Sequence, residues 1–566
     1  MRLGPRSELT PLAGSCGPKT SLHRGYGTAG GPFSSDTMTN TYNNRLRTAL
    51  ALQQATGVWT NGFGYDAAKR LTNVTSQAGS FAYAFNVGQA SRLINKLSLP
   101  NSSYITNTFD SVARLTGTWL KNSTNGTLNS HEYTYNQGNQ RTQQVFSAGS
   151  TYNYTYDAIG QLKTADSGTA SEDRGYVYDA AWNLNYRTNN VTTWTFTVNT
   201  KNELTNAFSS PYTYDGNGNL TWGNSARNNY IYDDENRLVQ WFNYYNPNGS
   251  PLMIGDLRTD FVYDGLGRLR SRSEYQWTGG SWYPNGTTYY VYDGMRVIQE
   301  RVGSPTVSYT RGSDLSGSLE GAGGIGGLLA RSHAYQSGSG NFTNHNCYHA
   351  DGNGNVTYLV NSSQALAASY RYDPYGSTIS SSGTLASANV YRFSSKELHV
   401  NSGLYYYGYR WYHPNLQRWL NSDPIGEEGG VNLFRYAWNS PPLSADAWGL
   451  TGTNVEPPPP MDIIIPPDPG PKGPVGTPGH IPILSGNGPP AIPGTPTVRL
   501  PTCENQGEQR MTKPSAPTGE TCPCTNLPIK CFSYEKCELI PISQGSATIM
   551  GLRWVPYTRC TKCPEY

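Results

Sequence analysis

Along most of the chain, apolar and polar positions alternate with a period of two, interrupted at short intervals by a polar turn. The stretch "YTYDGNGNLT", residues 212–221, shows the unit. Tyr212 and Tyr214 are two apart, so they share one face of a strand. Asp215 opens the turn, where its carboxylate can accept a hydrogen bond from the backbone N–H two residues on. Gly218 follows three residues later, at the position where such a turn needs left-handed backbone. Leu220 and Thr221 start the return strand. The frame is aromatic, any residue, aromatic, Asp, two residues, Gly or Asn, any residue, Leu. It recurs as "FGYDAAKRL" (Phe63–Leu71), "YTYDAIGQL" (Tyr154–Leu162), "YVYDAAWNL" (Tyr176–Leu184), "YIYDDENRL" (Tyr230–Leu238) and "FVYDGLGRL" (Phe261–Leu269). Weaker copies start near Asn107, Tyr133, Phe196 and Tyr290. Asn183 and Asn236 are assigned to the glycine position, because Asn tolerates that backbone better than most residues.

The aromatic-to-Leu offset within a unit is constant, but the interval between units runs from about 16 to 44 residues. This predicts hairpins joined by variable outer loops, not a propeller of fixed period. One copy would be an ordinary hairpin. About ten copies predict one continuous, wound β-sheet.

Composition agrees. Of the aromatic residues, 42 are Tyr and 14 are Phe, so the packing residue carries a hydroxyl that must be satisfied. Charged residues make up 14% of the chain and the net charge is +3, which leaves no footprint for nucleic acid. No stretch approaches 18 apolar residues, so no span of the membrane is expected. The start, "MRLGPRSELTPLAGSCGPKT", lacks the apolar core of a secretory signal. It reads equally as a true start or as the inside of a longer ancestral frame. The run "DLSGSLEGAGGIGGLLA" (Asp314–Ala330) lacks the Gly-Lys-Ser/Thr ending of a phosphate loop. It reads as a place where backbones approach closely or the sheet bends.

The most specific text is "YRFSSKELHVNSGLYYYGYRWYHPNLQRWLNSDPIGEEGGVNLFRYAWNSPPLSADAWGL", Tyr391–Leu450. It closely resembles the core-associated domain that ends the shell of RHS-repeat proteins. The upstream units are similar to the YD repeats of that family, which includes teneurin-like YD shells. The resemblance covers roughly residues 60–450 and implies an all-β fold. YD hairpins wind into a spiral β-shell, a hollow or partial cage, closed at one end by the core-associated segment. In many members the sequence beyond is a variable cargo, often a toxin.

The resemblance also implies a chemistry. Several RHS proteins cut themselves after the Leu of a terminal "DPxGL" motif with a pair of aspartates. The matching positions are Asp423 in "SDPIG" and Asp446 in "DAWGL", with the bond after Leu450. Two carboxylates sharing one proton can divide the work of base and acid. Lying 23 residues apart, they meet only if this segment folds back on itself. Arg435, in "NLFRY", is the candidate for orienting the pair or stabilising charge. The second motif departs from the pattern: Ala447 replaces the usual Pro, which would fix φ. The competing reading makes both aspartates ordinary turn residues.

After Leu450 the chain becomes Pro- and Gly-rich, predicting an extended linker over 451–502. Seven of nine cysteines then cluster in 503–566: Cys503, Cys522, Cys524, Cys531, Cys537, Cys560 and Cys563. So short a module needs cross-links or a metal. Disulfides suit an exported domain. Zinc held by Cys522, Cys524, Cys560 and Cys563 is the alternative, although Cys-x-Cys spacing is unusual for it. No other cofactor is expected. With no His or Asp after Cys503, a nuclease or deaminase site is not legible there.

The expected organisation is a poorly structured segment (1–60), a YD-repeat shell (61–390), the core-associated domain (391–450), the linker and the Cys-rich module. The leading functional expectation is a structural protein, not an enzyme of multiple turnover, secreted or at the cell surface. It presents or encloses its own C-terminal module toward a cell-surface or target-cell partner. The alternative is a polymorphic toxin precursor that releases residues 451–566 by self-cleavage. A carbohydrate-binding role, suggested by surface Tyr and Trp, competes with the packing role that already explains those rings.

Overall fold

The computed structural model describes residues 37–450, apart from 55, 87–91, 148, 224–227 and 245–251. It also gives the backbone of strands Ser21–Gly25, Gly452–Asn454, Gln509–Pro514, Cys531–Gln544 and Ala547–Cys560. The chain divides into two units, Thr20–Asp462 and a second made of Met1–Lys19 with Ile463–Tyr566.

The larger unit is one 31-stranded sheet carrying a small inner segment. From Ser21–Gly25 to Thr378–Ser382, each strand pairs antiparallel with the strand before it and the strand after it. The sheet is therefore a pure meander, which short polar turns can build without crossovers.

Each YD hairpin bends the meander in the same way. In the 212–221 unit, Asp215 Oδ1 accepts from the N–H groups of Asn217 and Asn219, both at 2.9 Å. Gly218 has φ +80°. The register then slips between Thr213 and Tyr214. This is a type I turn closed by a bulge. Equivalent slips precede Tyr65, Tyr156, Tyr178, Tyr232 and Tyr263. A bulge increases right-handed twist, and repeated copies add to the sheet's own twist.

The second aromatic of the phrase is a tyrosine for a further reason. The hydroxyls of Tyr65, Tyr135, Tyr156, Tyr263, Tyr292 and Tyr372 each donate to a carbonyl of the preceding hairpin, at Arg47, Leu115, Arg141, Leu238, Leu269 and Val356. The distances are 2.7–3.0 Å. The ring packs inward and the hydroxyl ties one repeat to the next, satisfying a carbonyl beside the bulge. Phenylalanine would pack equally well but leave that carbonyl unbonded.

The later strands return over the earlier ones. Arg47 pairs with Asp293 at 2.6 Å. Gln299 donates to Gln54 at 2.9 Å and Asn101 to the Asn361 carbonyl at 2.8 Å. Alternation then serves two cores at once. Tyr290 and Tyr292 join the inner core, while Val291 joins the core between the layers with Leu50, Trp59 and Phe81. Strands of the 289–361 region are thus buried on both faces, whereas Thr151–Tyr156 and Asn228–Tyr232 alternate between buried and exposed.

Residues 391–450 fill the inside as a plug. Its four-stranded sheet comprises Glu397–His399, Leu404–Tyr406, Trp411–His413 and Arg418–Trp419. Tyr405, Tyr407, Tyr412, Trp419 and Tyr436 are fully buried, and Tyr412 stacks on Tyr436 at 4.0 Å. Plug rings meet shell rings directly: Trp411 on Phe261 at 4.8 Å and Phe434 on Tyr214 at 5.7 Å. Such pairs contribute about 0.5–1.5 kcal/mol each beyond the area they bury.

Two expectations are corrected. Residues 37–60 are not poorly structured: strands Thr37–Asn43, Leu46–Gln53 and Val58–Tyr65 belong to the sheet. Asn183 does not take the left-handed position of its turn. Trp182 does, at φ +63°, while Asn236 takes it as expected, at φ +58°.

In the smaller unit, strands Gln509–Pro514, Cys531–Gln544 and Ala547–Cys560 form an antiparallel sheet whose register sets Cys531 opposite Cys560. Apart from the backbone of 452–454, the linker 451–502 lies outside the described residues, with Cys503, Cys522, Cys524 and Cys563 and the side chains of Cys531, Cys537 and Cys560. The disulfide and zinc expectations therefore fall there too.

Candidate functional site

Asp423 and Asp446 meet inside the plug, and a single arginine joins them. Asp423 opens a turn: its Oδ1 accepts from Ile425 N–H at 3.1 Å and its carbonyl accepts from Gly426 N–H at 2.9 Å. A short 3₁₀ turn, Gly426–Gly429, follows. Asp446 ends the strand Ser444–Asp446, which pairs with Gly452–Asn454 so that Asp446 faces Gly452. The bond after Leu450 therefore falls within the short connection between these two strands. Asp446 Oδ1 accepts from the N–H groups of Trp448, Gly449 and Leu450 at 3.1, 2.7 and 3.0 Å.

Arg410, in "YGYRWYHP", reaches both. Its Nη2 is 2.6 Å from Asp423 Oδ2 and 3.8 Å from Asp446 Oδ2. Its Nε donates to the Gly449 carbonyl and its Nη1 to the Leu433 carbonyl. The guanidinium lies over Trp419 at 4.4 Å. The three side chains are 2–4% exposed, so this is a buried charged cluster.

The Leu450 carbonyl belongs to the same cluster. A Cβ built on Gly429 would overlap both Asp423 Oδ2 and the Leu450 oxygen. Only glycine leaves that space free. Gly429 thus packs against both Asp423 and the carbonyl of the bond after Leu450, and Asp446 holds the three residues leading into that bond.

Burial dominates the electrostatics. It raises the proton affinity of Asp423 and of Asp446, with Arg410 and backbone N–H donors opposing. Burial also lowers Arg410 to about 10, against the pull of both carboxylates. Two buried carboxylates thus face one cation, and the charge of Asp446 adds to the rise at Asp423.

Arg435, expected as the orienting cation, stands elsewhere. Its guanidinium packs on Trp182 at 4.3 Å and on Trp438 at 4.2 Å. Among the described residues no ion pair joins it to either aspartate. The group in that place is Arg410, which the sequence reading missed. Its signal was a charge embedded in the aromatic run 405–412: such a charge must be buried, and a buried charge needs a partner. Among the described residues no group of three or more His, Cys, Asp or Glu is placed to hold a metal. None of the described helices is long and apolar enough to cross a membrane.

The fold has counterparts among solved structures. It matches the Photorhabdus luminescens Tc holotoxin pore with a TM-score of 0.54, 20% identity, and coverage of 74% of this chain and 23% of that one. It matches the TcdB2-TccC3-TEV crystal structure with a TM-score of 0.53, 19% identity, and coverage of 73% and 23%. At that identity the likeness concerns the fold. The meander of YD hairpins with the plug inside it is thus an all-β spiral shell of the fold seen in these toxin structures.

Curated relatives narrow the setting. The chain is 42% identical over 94 residues to "Toxin subunit YenC1" of Yersinia entomophaga, covering 16% of this chain and 10% of that protein. It is 25% identical over 336 residues to "Double-stranded DNA deaminase toxin A" of Burkholderia cenocepacia, covering 53% and 22%. It is 43% identical over 63 residues to "Toxin protein Tse5" of Pseudomonas aeruginosa, covering 11% and 5%. The chain thus spans less than a quarter of each of these three relatives. No family model matches.

Proposed function

We propose that this chain is the shell portion of a toxin-type protein that carries its own C-terminal module, residues 451–566, and frees it by cutting once after Leu450. The observation that carries the reading is the convergence of Asp423, Asp446 and Arg410 on the segment Trp448–Leu450, Asp446 through three N–H groups and Arg410 through the Gly449 carbonyl. The relatives, whose names are those of toxins, support the setting.

The geometry supports this reading. Asp446, whose Oδ1 is bonded by three backbone N–H groups, is assigned the base, its Oδ2 taking a proton from the attacking water. Asp423, beside the Leu450 oxygen, holds the shared proton and polarises the carbonyl. The new C–O bond forms at Leu450, the bond to Thr451 breaks, and the Thr451 nitrogen leaves with a proton. Arg410 limits repulsion between the carboxylates and fixes the Gly449 carbonyl. The turn-capping role of Asp446 and its chemical role are compatible, since they use different oxygens.

The module is the partner in this reading, and the protein acts outside the producing cell against a target cell. Size-exclusion chromatography with peptide mapping tests it. The expected result is a new N-terminus at Thr451 with both fragments eluting together. A chain that stays whole sinks the cut, and a tail that elutes alone sinks the enclosure.

A further inference from the structure

The glycine-rich run that matched no phosphate loop lies against the segment that leads to Leu450. We infer that Lys396 and the glycine-rich loop Asp314–Gly327 form a clamp that positions this segment for the cut, Lys396 acting as a positioning residue by joining the Ala447 and Gly323 carbonyls. The inference rests on the self-cleavage reading above.

The loop is folded around Asp314. Its Oδ2 accepts from Ala322 N–H at 2.7 Å and Gly324 N–H at 3.1 Å, and its Oδ1 from Ser316 N–H and Oγ–H at 3.0 and 2.6 Å. Leu315 N–H donates to the Ile325 carbonyl at 3.0 Å. The loop is moored to the plug by Gly326 N–H, which donates to Ser395 Oγ at 3.0 Å, while Ser395 Oγ donates to the Gly354 carbonyl at 2.7 Å. Gly323, at φ +62°, meets the Ala447 carbonyl so closely that a Cβ there would overlap it.

Lys396 closes the clamp. Its Nζ donates to the Ala447 carbonyl at 2.6 Å and to the Gly323 carbonyl at 3.0 Å. The ammonium sits between the rings of Tyr407 and Trp448, at 5.2 and 5.4 Å. Burying a lysine is costly, and a methionine would fill the space. What only a donor with several protons does here is bind carbonyls of two separate segments together. Ala447 follows Asp446 directly. Arg410 holds the Gly449 carbonyl and Lys396 holds the Ala447 carbonyl, so the approach to Leu450 is fixed at two points.

The charged groups that act on Lys396 are Asp446, Asp314 and Glu320, which favour its proton, and Arg311, which opposes it. Burial outweighs them and lowers Lys396 to about 7. The clamp therefore weakens near neutral pH, as the ammonium gives up a proton.

The test follows scission of the full-length chain after pulse labelling in cell-free translation, from pH 6 to 8.5. For wild type, the rate is expected to fall as pH rises through about 7. Lys396→Met should slow scission, up to the order of 10²-fold for a displaced reacting segment, and lose that inflection. Gly323→Ala, whose Cβ overlaps the Ala447 carbonyl and crowds Lys396 Nζ at 3.0 Å, keeps the titratable lysine and should slow scission while retaining an inflection. Thermal unfolding of Lys396→Met in an Asp423→Asn background shows whether the shell has folded; if it has not, Gly323→Ala decides. Wild-type rates and profile in both variants would overturn the clamp while leaving the aspartate pair intact. An Asp423→Asn chain that still splits, or a wild-type chain that never does, would overturn the self-cleavage reading, and the clamp with it.

Discussion

The turn aspartates of the shell and the two aspartates of the plug do the same local job in different surroundings. Asp66, Asp110, Asp233 and Asp264 each cap a hairpin turn through one oxygen and pair through the other with the arginine four residues on. Their side chains are 22–25% exposed. For Asp66, Asp110 and Asp233, the burial penalty is outweighed by hydrogen bonds from that arginine, and the carboxyl titrates below its usual range. Asp423 and Asp446 also cap turns, but no side chain four positions on pairs with their second oxygen. Both turn to Arg410, and burial raises their proton affinity.

Burial alone does not make such a site. Asp351 and Asp373, in shell turns, are raised by burial as well. Each caps its own turn through one oxygen, bonded to the N–H groups of Asn353 and Asn355 or of Tyr375 and Ser377. The plug differs in bringing a second carboxylate and the Gly449 carbonyl to the same cation. A cation from another segment is not the distinction, since Asp373 Oδ2 faces Arg174 at 3.8 Å; the plug is set apart by two carboxylates at one arginine.

Substitutions can break this comparison. Asn at Asp423 or Asp446 preserves much of the turn bonding but removes the titratable pair. Each variant should stay uncut, while Asp215→Asn in a shell turn should split as wild type does; the cut fraction on a denaturing gel reads both. Arg410→Met comes next. It leaves two buried carboxylates without their cation and should cost about 3–5 kcal/mol, against roughly 1 kcal/mol or less for Arg237→Met at the partly exposed pair with Asp233. Urea unfolding of uncut chains would measure the difference, and equal losses would erase the distinction.

A smaller effect comes from the seam between the sheet's layers. His131 and His349 are buried, and Asn129 and Thr357 bond them from strands far apart in sequence. Burial lowers His131 to about 3, with Arg141 and Arg371 adding to the shift; burial and His131 lower His349 well below its usual value. Above pH 6.5 neither state takes up a proton. Below it the unfolded chain does and the fold does not, so stability falls by about 2 kcal/mol per histidine by pH 5. Thermal melts at pH 7 and pH 5 should show this loss, and His131→Gln should reduce it.

The smallest expected effect concerns the tyrosine tie. Tyr156→Phe keeps the ring and removes the bond to the Arg141 carbonyl, at a cost of about 0.5–1.5 kcal/mol. Val177→Thr, at an exposed position of a neighbouring repeat, should cost less; urea midpoints compare the two.

Much of the fold was legible because its instructions are local. Asp at the turn, a residue tolerant of positive φ three places on and a tyrosine before the bulge all lie within one short phrase. Tertiary support can override that grammar, as at Trp182, where packing against Arg435 accompanies a backbone that favours glycine or asparagine. The early strands carry no YD phrase, yet Leu46, Leu50 and Leu52 alternate with polar or small residues, so that signal was present. In the site, both aspartates were identifiable from the motifs around them. Arg410 and Lys396 were not, because their partners are backbone carbonyls and carboxylates brought close only by the folded plug.

The account stands or falls on the intact mass of the purified full-length chain measured beside its Asp446→Asn variant. The prediction is two masses for wild type, divided between Leu450 and Thr451, and one undivided mass for the variant. A wild type that stays whole, or a variant that divides at the same bond, would contradict it and return both aspartates to the ordinary work of turns.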